Sequence, residues 1–235
     1  MKVVVPLAGP DFELGDGRVK AELEIGGQPL LKHALESRRW WTLGRTTDSD
    51  LIFILRDTER SRRFAQDVLR AWFPSAIHVY LQQPTRGAAF TVLAGLAQVA
   101  HVTEPICVDL ADILYDVLED PGKVFADSRI GGAGLVFRSS EPCYSYFKTD
   151  EAGRVIAVAE KKVISVNASA GTYFFANPEV YLRGVANNLD RRDDVMYRDA
   201  FFVSAVMQGL LEAGKEVVLQ SVHNIFDIKQ LRTST

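Results

Sequence analysis

The sequence is short of several things, and each shortage narrows the field. Its 235 residues include two cysteines, Cys107 and Cys143, and four histidines, His33, His78, His101 and His223. Neither set has the spacing of zinc ligands, so the cysteines read as buried thiols of a reducing compartment, not as a disulfide framework or a metal site. No run of about 18 apolar residues occurs, and the opening Met-Lys-Val-Val-Val-Pro lacks the apolar stretch of a secretory leader. A cytoplasmic protein without membrane insertion is expected. Basic excess is missing too: 27 Lys and Arg against 30 Asp and Glu leave a formal charge of −3, with no broad cationic field to hold nucleic acid. Any recognition of phosphate must therefore be local. Also absent are Gly-x-Gly-x-x-Gly after the first apolar run and Gly-x-Ser-x-Gly anywhere, which counts against a dinucleotide oxidoreductase and against a serine-elbow hydrolase.

What is present suits one large globular domain spanning residues 1–235. Hydrophobic residues make up 47% and charged residues 24%, and a chain of this length buries roughly 70–75% of its unfolded surface. Strand-like and helix-like patterns alternate. Val3 to Leu7, Leu51 to Leu55, Ile77 to Leu81 and Pro105 to Val108 are short apolar runs of the kind that parallel sheets bury on both faces. Between them, helical periodicity appears from Pro29 to Leu35, from Thr58 to Trp72 and from Gly87 to Ala100, with Trp40, Trp41 and Trp72 expected to pack beneath the first helix. The alternation predicts parallel strands joined by right-handed crossovers.

The second half predicts a strand at Ala133 to Phe137, then a hairpin of Tyr144 to Lys148 and Arg154 to Ala159 around Asp150-Glu151-Ala152-Gly153. A strand at Gly171 to Phe175 follows, then helices at Pro178 to Leu189 and Asp199 to Ala213, and a last strand at Val217 to Leu219. The fold class is therefore α/β: a Rossmann-like three-layer α/β/α sandwich on a mostly parallel mixed sheet.

Open sheets of this class place ligands beyond the carboxyl ends of their strands, and four segments arrive there. The loop from Ala8 to Lys20, with Ile25-Gly26-Gly27-Gln28-Pro29 after it, offers glycines that let amides approach phosphate oxygens, and Arg18 and Lys20 as countercharge. Gln83 to Ala89 opens a helix, and Gln83 can meet a base edge. Asp109-Leu110-Ala111-Asp112 puts carboxylates where an apolar strand ends, hard oxygen ligands that suit Mg²⁺. Ala159-Glu160-Lys161-Lys162 can present an ammonium to a second phosphate.

Taken in order, "VVVPLAG", "KAELEIGGQPL", "QPTRGAA", "VDLAD", "YSYFKTDEAGRVIAVAEKK", "GTYFF" and "NIFDIKQL" resemble the sugar-phosphate nucleotidyltransferases, which have a glycosyltransferase type A-like fold. The resemblance implies that Leu7, Ala8, Gly9, Gln83 and Gly87 bind the nucleotide, with residues 1–116 as the nucleotide half and 117–235 as the acceptor half. It implies that Lys20 contacts phosphates, that Tyr146, Glu160, Lys161 and Gly171 bind the acceptor, and that Asp112 and Asp227 hold Mg²⁺. The implied activity moves a nucleoside monophosphate from a triphosphate to a sugar 1-phosphate or similar acceptor with release of pyrophosphate, for glycan or polysaccharide precursors. A monomer or homodimer is expected.

One departure stands out. Members carry Gly-x-Gly-x-Arg after the first strand, whereas here Gly9 is followed by Pro10, Asp11, Phe12 and Glu13. An acid replaces the arginine, and two like charges about 4 Å apart repel by about 4 kcal/mol at an effective dielectric of 20. Either Glu13 points away or the loop is rebuilt, with Arg18 as the displaced cation. Two other readings stay open: a metal-dependent glycosyltransferase using a sugar nucleotide, against which Asp109-x-x-Asp112 counts because that chemistry uses Asp-x-Asp, and a catalytically impaired nucleotide-binding regulatory subunit.

Overall fold

The computed structural model describes residues 1–190 and 195–228. The apolar runs become β1 (Lys2–Pro6), β4 (Leu51–Arg56), β5 (Ile77–Leu81) and β6 (Ile106–Asp109), which lie in the order β6-β1-β4-β5 with every pairing parallel. Beyond β6 the sheet becomes mixed. There β11 (Asn167–Phe175) pairs antiparallel with β6, with β8 (Ile130–Arg138) and with β9 (Tyr146–Thr149), β10 (Val155–Ala159) pairs antiparallel with β9, and β12 (Glu216–Ser221) pairs parallel with β8 to complete nine strands.

Alternate residues of the strands feed two cores, one on each face, as the pleat requires. Val3 and Val5 of β1 and Leu51, Phe53 and Leu55 of β4 face one side, where α1 (Leu30–Ser37) and α2 (Arg39–Thr42) pack with the helix running from α3 (Glu59–Phe64) through one π turn to α4 (Arg70–Trp72). Val4, Ile52 and Ile54 face the other, under α5 (Ala88–Leu96), α6 (Pro178–Asp190) and α7 (Val203–Glu212). The three-layer α/β/α architecture is thus built from period-two strands and amphipathic helices.

The structure departs from the sequence expectations in four places. Cys107 is buried but Cys143 is exposed, because it sits in the turn before β9 while its neighbour Tyr144 turns inward. Val217 to Leu219 is not the last strand: β13 (His223–Asp227) pairs antiparallel with β7 (Ile113–Asp116), the first too polar and the second too short to stand out as an apolar run. The helix expected from Asp199 begins at Val203, since Arg198 and Asp199 both take positive φ. Gly26 and Gly27 do not open onto the cleft but form the exposed two-residue turn between β2 (Glu24–Ile25) and β3 (Gln28–Pro29), where φ of 63° and 80° favours glycine. Lys229, Gln230 and Leu231 of the terminal motif lie outside the described residues.

Candidate active site

The first loop folds back on itself as a small hairpin. The Lys20 amide donates to the Phe12 carbonyl (2.7 Å), Glu13 bridges to Val19, and the Leu14 amide donates to the Arg18 carbonyl (2.9 Å). This hairpin is fastened to α3. Phe12 packs edge-on against Phe64 with ring centroids 5.8 Å apart, the Arg60 guanidinium donates to the Leu14 carbonyl at 2.7 Å, and Glu13 Oε1 accepts from the hydroxyls of Thr58 and Ser61. Glu13 therefore points toward α3. The repulsion expected of an acid in a phosphate loop does not arise, because its carboxylate is spent on the helix start.

The hairpin separates the two cations it carries. Lys20, at the base, lines a small cleft with Leu7, Gly9, Asp11 and Asp112 at the carboxyl ends of β1 and β6. Its Nζ lies 3.1 Å from Asp11 Oδ2 and 3.3 Å from Asp112 Oδ2, and the Lys20 and Asp112 side chains are 16% and 14% exposed. Arg18, near the tip, is bound to Asp16 at 2.6 Å and lines a different, larger cleft of about 660 Å³ against α3.

Asp112 is thrust into the small cleft by a turn with unusual backbone. Ala111, just before it, has φ of 51°, in the left-handed region that a residue with a Cβ rarely enters. Gly171 of β11 crosses beside it: its carbonyl accepts from the Leu110 amide (3.0 Å), and a Cβ at Gly171 would stand 3.4 Å from Asp112 Oδ1. Asp227 is brought near by the β13–β7 ladder, which pairs it with Ile113. It is fully buried and accepts from the Tyr144 hydroxyl at 2.7 Å, and burial together with that carboxylate raises the Tyr144 pKa above its ordinary value.

Glu160 Oε2 accepts from the Ser145 hydroxyl and from the Ser204 hydroxyl (2.8 Å), and the Lys161 ammonium lies 3.9 Å from Glu160 Oε1 and about 5 Å from the ring centroids of Tyr197 and Phe202. Ser145 ties this pair to β11: its carbonyl accepts from the Ser169 amide (2.8 Å), and Ser169 Oγ accepts from the Gly171 amide (3.1 Å). Burial first, and then the charge of Glu160, raises the pKa of the buried Tyr173 above its ordinary value.

The structure thus gathers Leu7, Gly9, Lys20, Asp112 and Gly171, with Ala8 buried beside them, Asp227 one strand away, and Glu160 and Lys161 linked to Gly171 through Ser145 and Ser169. It does not gather Arg18 with them. Gln83 is exposed, Gly87 is covered by the Phe201 backbone, which a Cβ would strike, and Tyr146 is buried in β9 with its hydroxyl on the Glu141 carbonyl (2.7 Å). Asp11, Tyr144, Tyr173, Ser145 and Ser204 were given no site role in the sequence, since isolated polar residues carry no spacing signal.

Beneath the cleft lies a sealed ion pair. Arg38, which follows α1, donates from Nε and Nη2 to Asp109 (2.8 and 3.1 Å) and from Nη2 to the Ile113 carbonyl (3.0 Å), and stacks 3.8 Å from the Tyr115 ring centroid. Both side chains are fully buried. Burial is the largest single influence on the Arg38 pKa and would lower it, but the charge of Asp109, the neighbouring Tyr115 and the hydrogen bonds to Asp109 together outweigh it and raise it, so Arg38 stays protonated.

The donor set fits a divalent cation only as a shared ligand. Among the described residues, no three His, Cys, Asp or Glu side chains gather to hold a metal by themselves. Mg²⁺ takes one or two protein carboxylates and fills its remaining positions with water and substrate phosphates; Asp112, at the cleft, has the chemistry of such a ligand, and Asp227, the second candidate, is buried on the Tyr144 hydroxyl one strand away. Among the described residues no helix is long and apolar enough to cross a membrane.

No protein-family profile matches the chain, and no curated protein matches it in sequence. Solved structures do. A nucleoside-diphosphate-sugar pyrophosphorylase from Vibrio cholerae is similar over 97% of this chain and 95% of its own, at 23% identity and a TM-score of 0.79. A protein from Bacillus anthracis, assigned as a glucose-1-phosphate thymidylyltransferase and solved with sucrose, is similar over 100% and 93% at 16% identity and a TM-score of 0.73. A UDP-glucose pyrophosphorylase in complex with UDP-glucose is similar over 98% and 94% at 15% identity and a TM-score of 0.70. The chain has the sugar-phosphate nucleotidyltransferase fold that its motifs resemble.

Proposed function

We propose that this chain is a nucleotidyltransferase that moves a nucleoside monophosphate from a nucleoside triphosphate to a sugar 1-phosphate, or a similar phosphorylated acceptor, and releases pyrophosphate into the supply of glycan precursors. One observation carries the reading: the Lys20 ammonium meets Asp112 and Asp11 at the carboxyl ends of β1 and β6, on a fold shared with sugar-nucleotide pyrophosphorylases. Residues 1–116 would serve the nucleotide and 117–235 the acceptor.

An oxygen of the acceptor phosphate attacks the α-phosphorus of the triphosphate in line. The new phosphorus–oxygen bond forms as the bond to the bridging oxygen of the β-phosphate breaks, and pyrophosphate departs with that electron pair. No protein nucleophile is required, since the acceptor is already ionised, and the obstacle is the meeting of two anions. Lys20 neutralises the triphosphate, Lys161 orients the acceptor phosphate with Glu160 on its sugar, and Arg18 supplies countercharge once it leaves Asp16. Mg²⁺, held by Asp112 with Asp227, would add neutralising charge on the phosphates when bound.

A glycosyltransferase reading would need paired aspartates on a metal, and Asp109 is sealed against Arg38 with no exposed surface, which favours the nucleotidyltransferase. The test is a pyrophosphate-release screen of the four common triphosphates against sugar 1-phosphates and phosphocholine, with and without Mg²⁺. Magnesium-dependent pyrophosphate from one pair supports the proposal. Release of nucleotide from a sugar nucleotide, or binding without turnover, would replace it with a glycosyltransferase or a regulatory subunit respectively.

A further inference from the structure

Buried ion pairs are weak stabilisers, because desolvating both charges costs about as much as their attraction returns, and an apolar pair of like volume often does as well or better. The pair of Arg38 and Asp109 is a poor candidate even by that standard, since Arg38 Nη1 is buried without a hydrogen-bond partner. Its worth has to be sought in what it fixes.

Asp109 and Arg38 between them hold both ends of one turn. Asp109 Oδ1 accepts from the Ala111 amide (2.9 Å) and from the Thr172 hydroxyl (3.2 Å), and Thr172 in turn is within 2.7 Å of the Tyr115 hydroxyl. Arg38 holds the far end through the Ile113 carbonyl (3.0 Å) and the Tyr115 face. Between these anchors Ala111 is kept at φ of 51°, a conformation a residue with a Cβ adopts only when its surroundings over-determine it. The residue carried outward by that bend is Asp112, whose carboxylate reaches Lys20.

We propose that Arg38 and Asp109 are positioning residues for Asp112, clamping the turn from Asp109 to Ile113 from below so that the Asp112 carboxylate stands in the cleft beside Lys20. The inference rests on the nucleotidyltransferase reading for its catalytic meaning, but the clamp itself can be tested without turnover. A misplacement of about 1 Å set from outside the reacting groups can cost about 10²-fold in rate.

The decisive variant is Arg38→Met/Asp109→Leu, which removes both charges while keeping volume, so the fold should survive even where either single change unfolds the chain. Its crystal structure should show Ala111 out of the left-handed region and the Asp112 carboxylate withdrawn from Lys20, with a thermal midpoint near that of the wild type. In the pyrophosphate assay kcat should fall by about 10²-fold while KM for the triphosphate changes by less than about threefold. Arg38→Lys keeps the charge but cannot bridge Asp109 and the Ile113 carbonyl as a fork does, and should lose an intermediate share of kcat. A double variant with the Lys20–Asp112 contact and the bend at Ala111 intact overturns the proposal. So does one with a displaced Asp112 and wild-type kcat. Wild-type protein inactive with every substrate pair defeats the functional reading, and the crystallographic comparison still decides the clamp.

Discussion

Two aspartates three residues apart illustrate how burial divides labour between like groups. Asp109 and its partner Arg38 have no exposed side-chain surface, whereas Asp112 and Lys20 keep 14% and 16%. Both are carboxylate–cation pairs at the end of the same strand, yet only the second leaves room for a ligand to insert itself between the charges. A sealed pair can organise backbone; a half-open pair can exchange its partner for a phosphate or a cation. Arg18 and Asp16 mark the far end of the scale, about half exposed at the tip of the hairpin, where solvent and salt screen the attraction.

The largest effect should come from opening the half-open pair. Asp112→Asn is expected to lower kcat by at least about 10²–10³-fold, the scale set by losing one preorganised electrostatic group, while the thermal midpoint hardly moves. Lys20→Ala should cost a similar factor and raise KM for the triphosphate. Pyrophosphate release and thermal denaturation, measured on the same preparations, test the split. The sealed pair should respond in the opposite sense: Asp109→Ala leaves Arg38 buried and uncompensated, and should cost about 3–5 kcal/mol in urea unfolding. Equal loss of stability in the Asp112 and Asp109 variants would erase the distinction drawn between them.

Smaller effects sharpen it. Glu13→Ala removes the acceptor for the Thr58 and Ser61 hydroxyls and should destabilise by about 1–3 kcal/mol, with Glu13→Gln, which keeps an acceptor oxygen, losing less. Faster amide exchange from Phe12 to Lys20 in the Ala variant would show that the latch to α3 holds the hairpin. Arg18→Ala should leave the thermal midpoint unchanged and raise the triphosphate KM only a few-fold, the more so at low salt. No change in KM at any ionic strength would remove Arg18 from the proposed site.

How much of this was legible in the sequence follows the same division. The inner strands β1, β4 and β6 announced themselves because a strand buried on both faces must be apolar throughout, and even the half-buried edge strand Ile77 to Leu81 was read to the residue. The strands β7 and β13 were missed because β7 offers only Ile113, Leu114 and Tyr115 before Asp116, and β13 mixes His223, Asn224 and Asp227 with two apolar residues. Lys20 and Asp112 stood out through their motifs. Arg38 did not: it sits in Ser37-Arg38-Arg39-Trp40, where nothing local separates a buried arginine from the exposed one beside it. Glu13 was recognised as out of place, but only the long-range contact with Thr58 and Ser61 tells where it goes. Local sequence carries periodicity and strand ends well, and carries the choice of distant partners hardly at all.

His78 supplies the remaining case, a half-buried side chain with one ring nitrogen enclosed and unpartnered. It lies on β5 with its ring 6.0 Å from Phe53, and its Nε2 is buried without a hydrogen bond. Burial, and then the charge of Arg70, lowers its pKa below the usual 6.5, so the folded protein keeps it neutral. The unfolded chain takes up a proton near pH 6.5 and the folded chain does so only at lower pH. Stability contributed by the neutral imidazole is therefore present above about pH 6.5 and is lost as the pH falls through the folded pKa. Urea unfolding from pH 7.5 to pH 5 should show a decline that His78→Phe flattens, since phenylalanine can stack on Phe53 without a proton to gain. An unchanged slope in that variant would assign the acid sensitivity to another group and leave unpartnered enclosure without a measurable cost at this position.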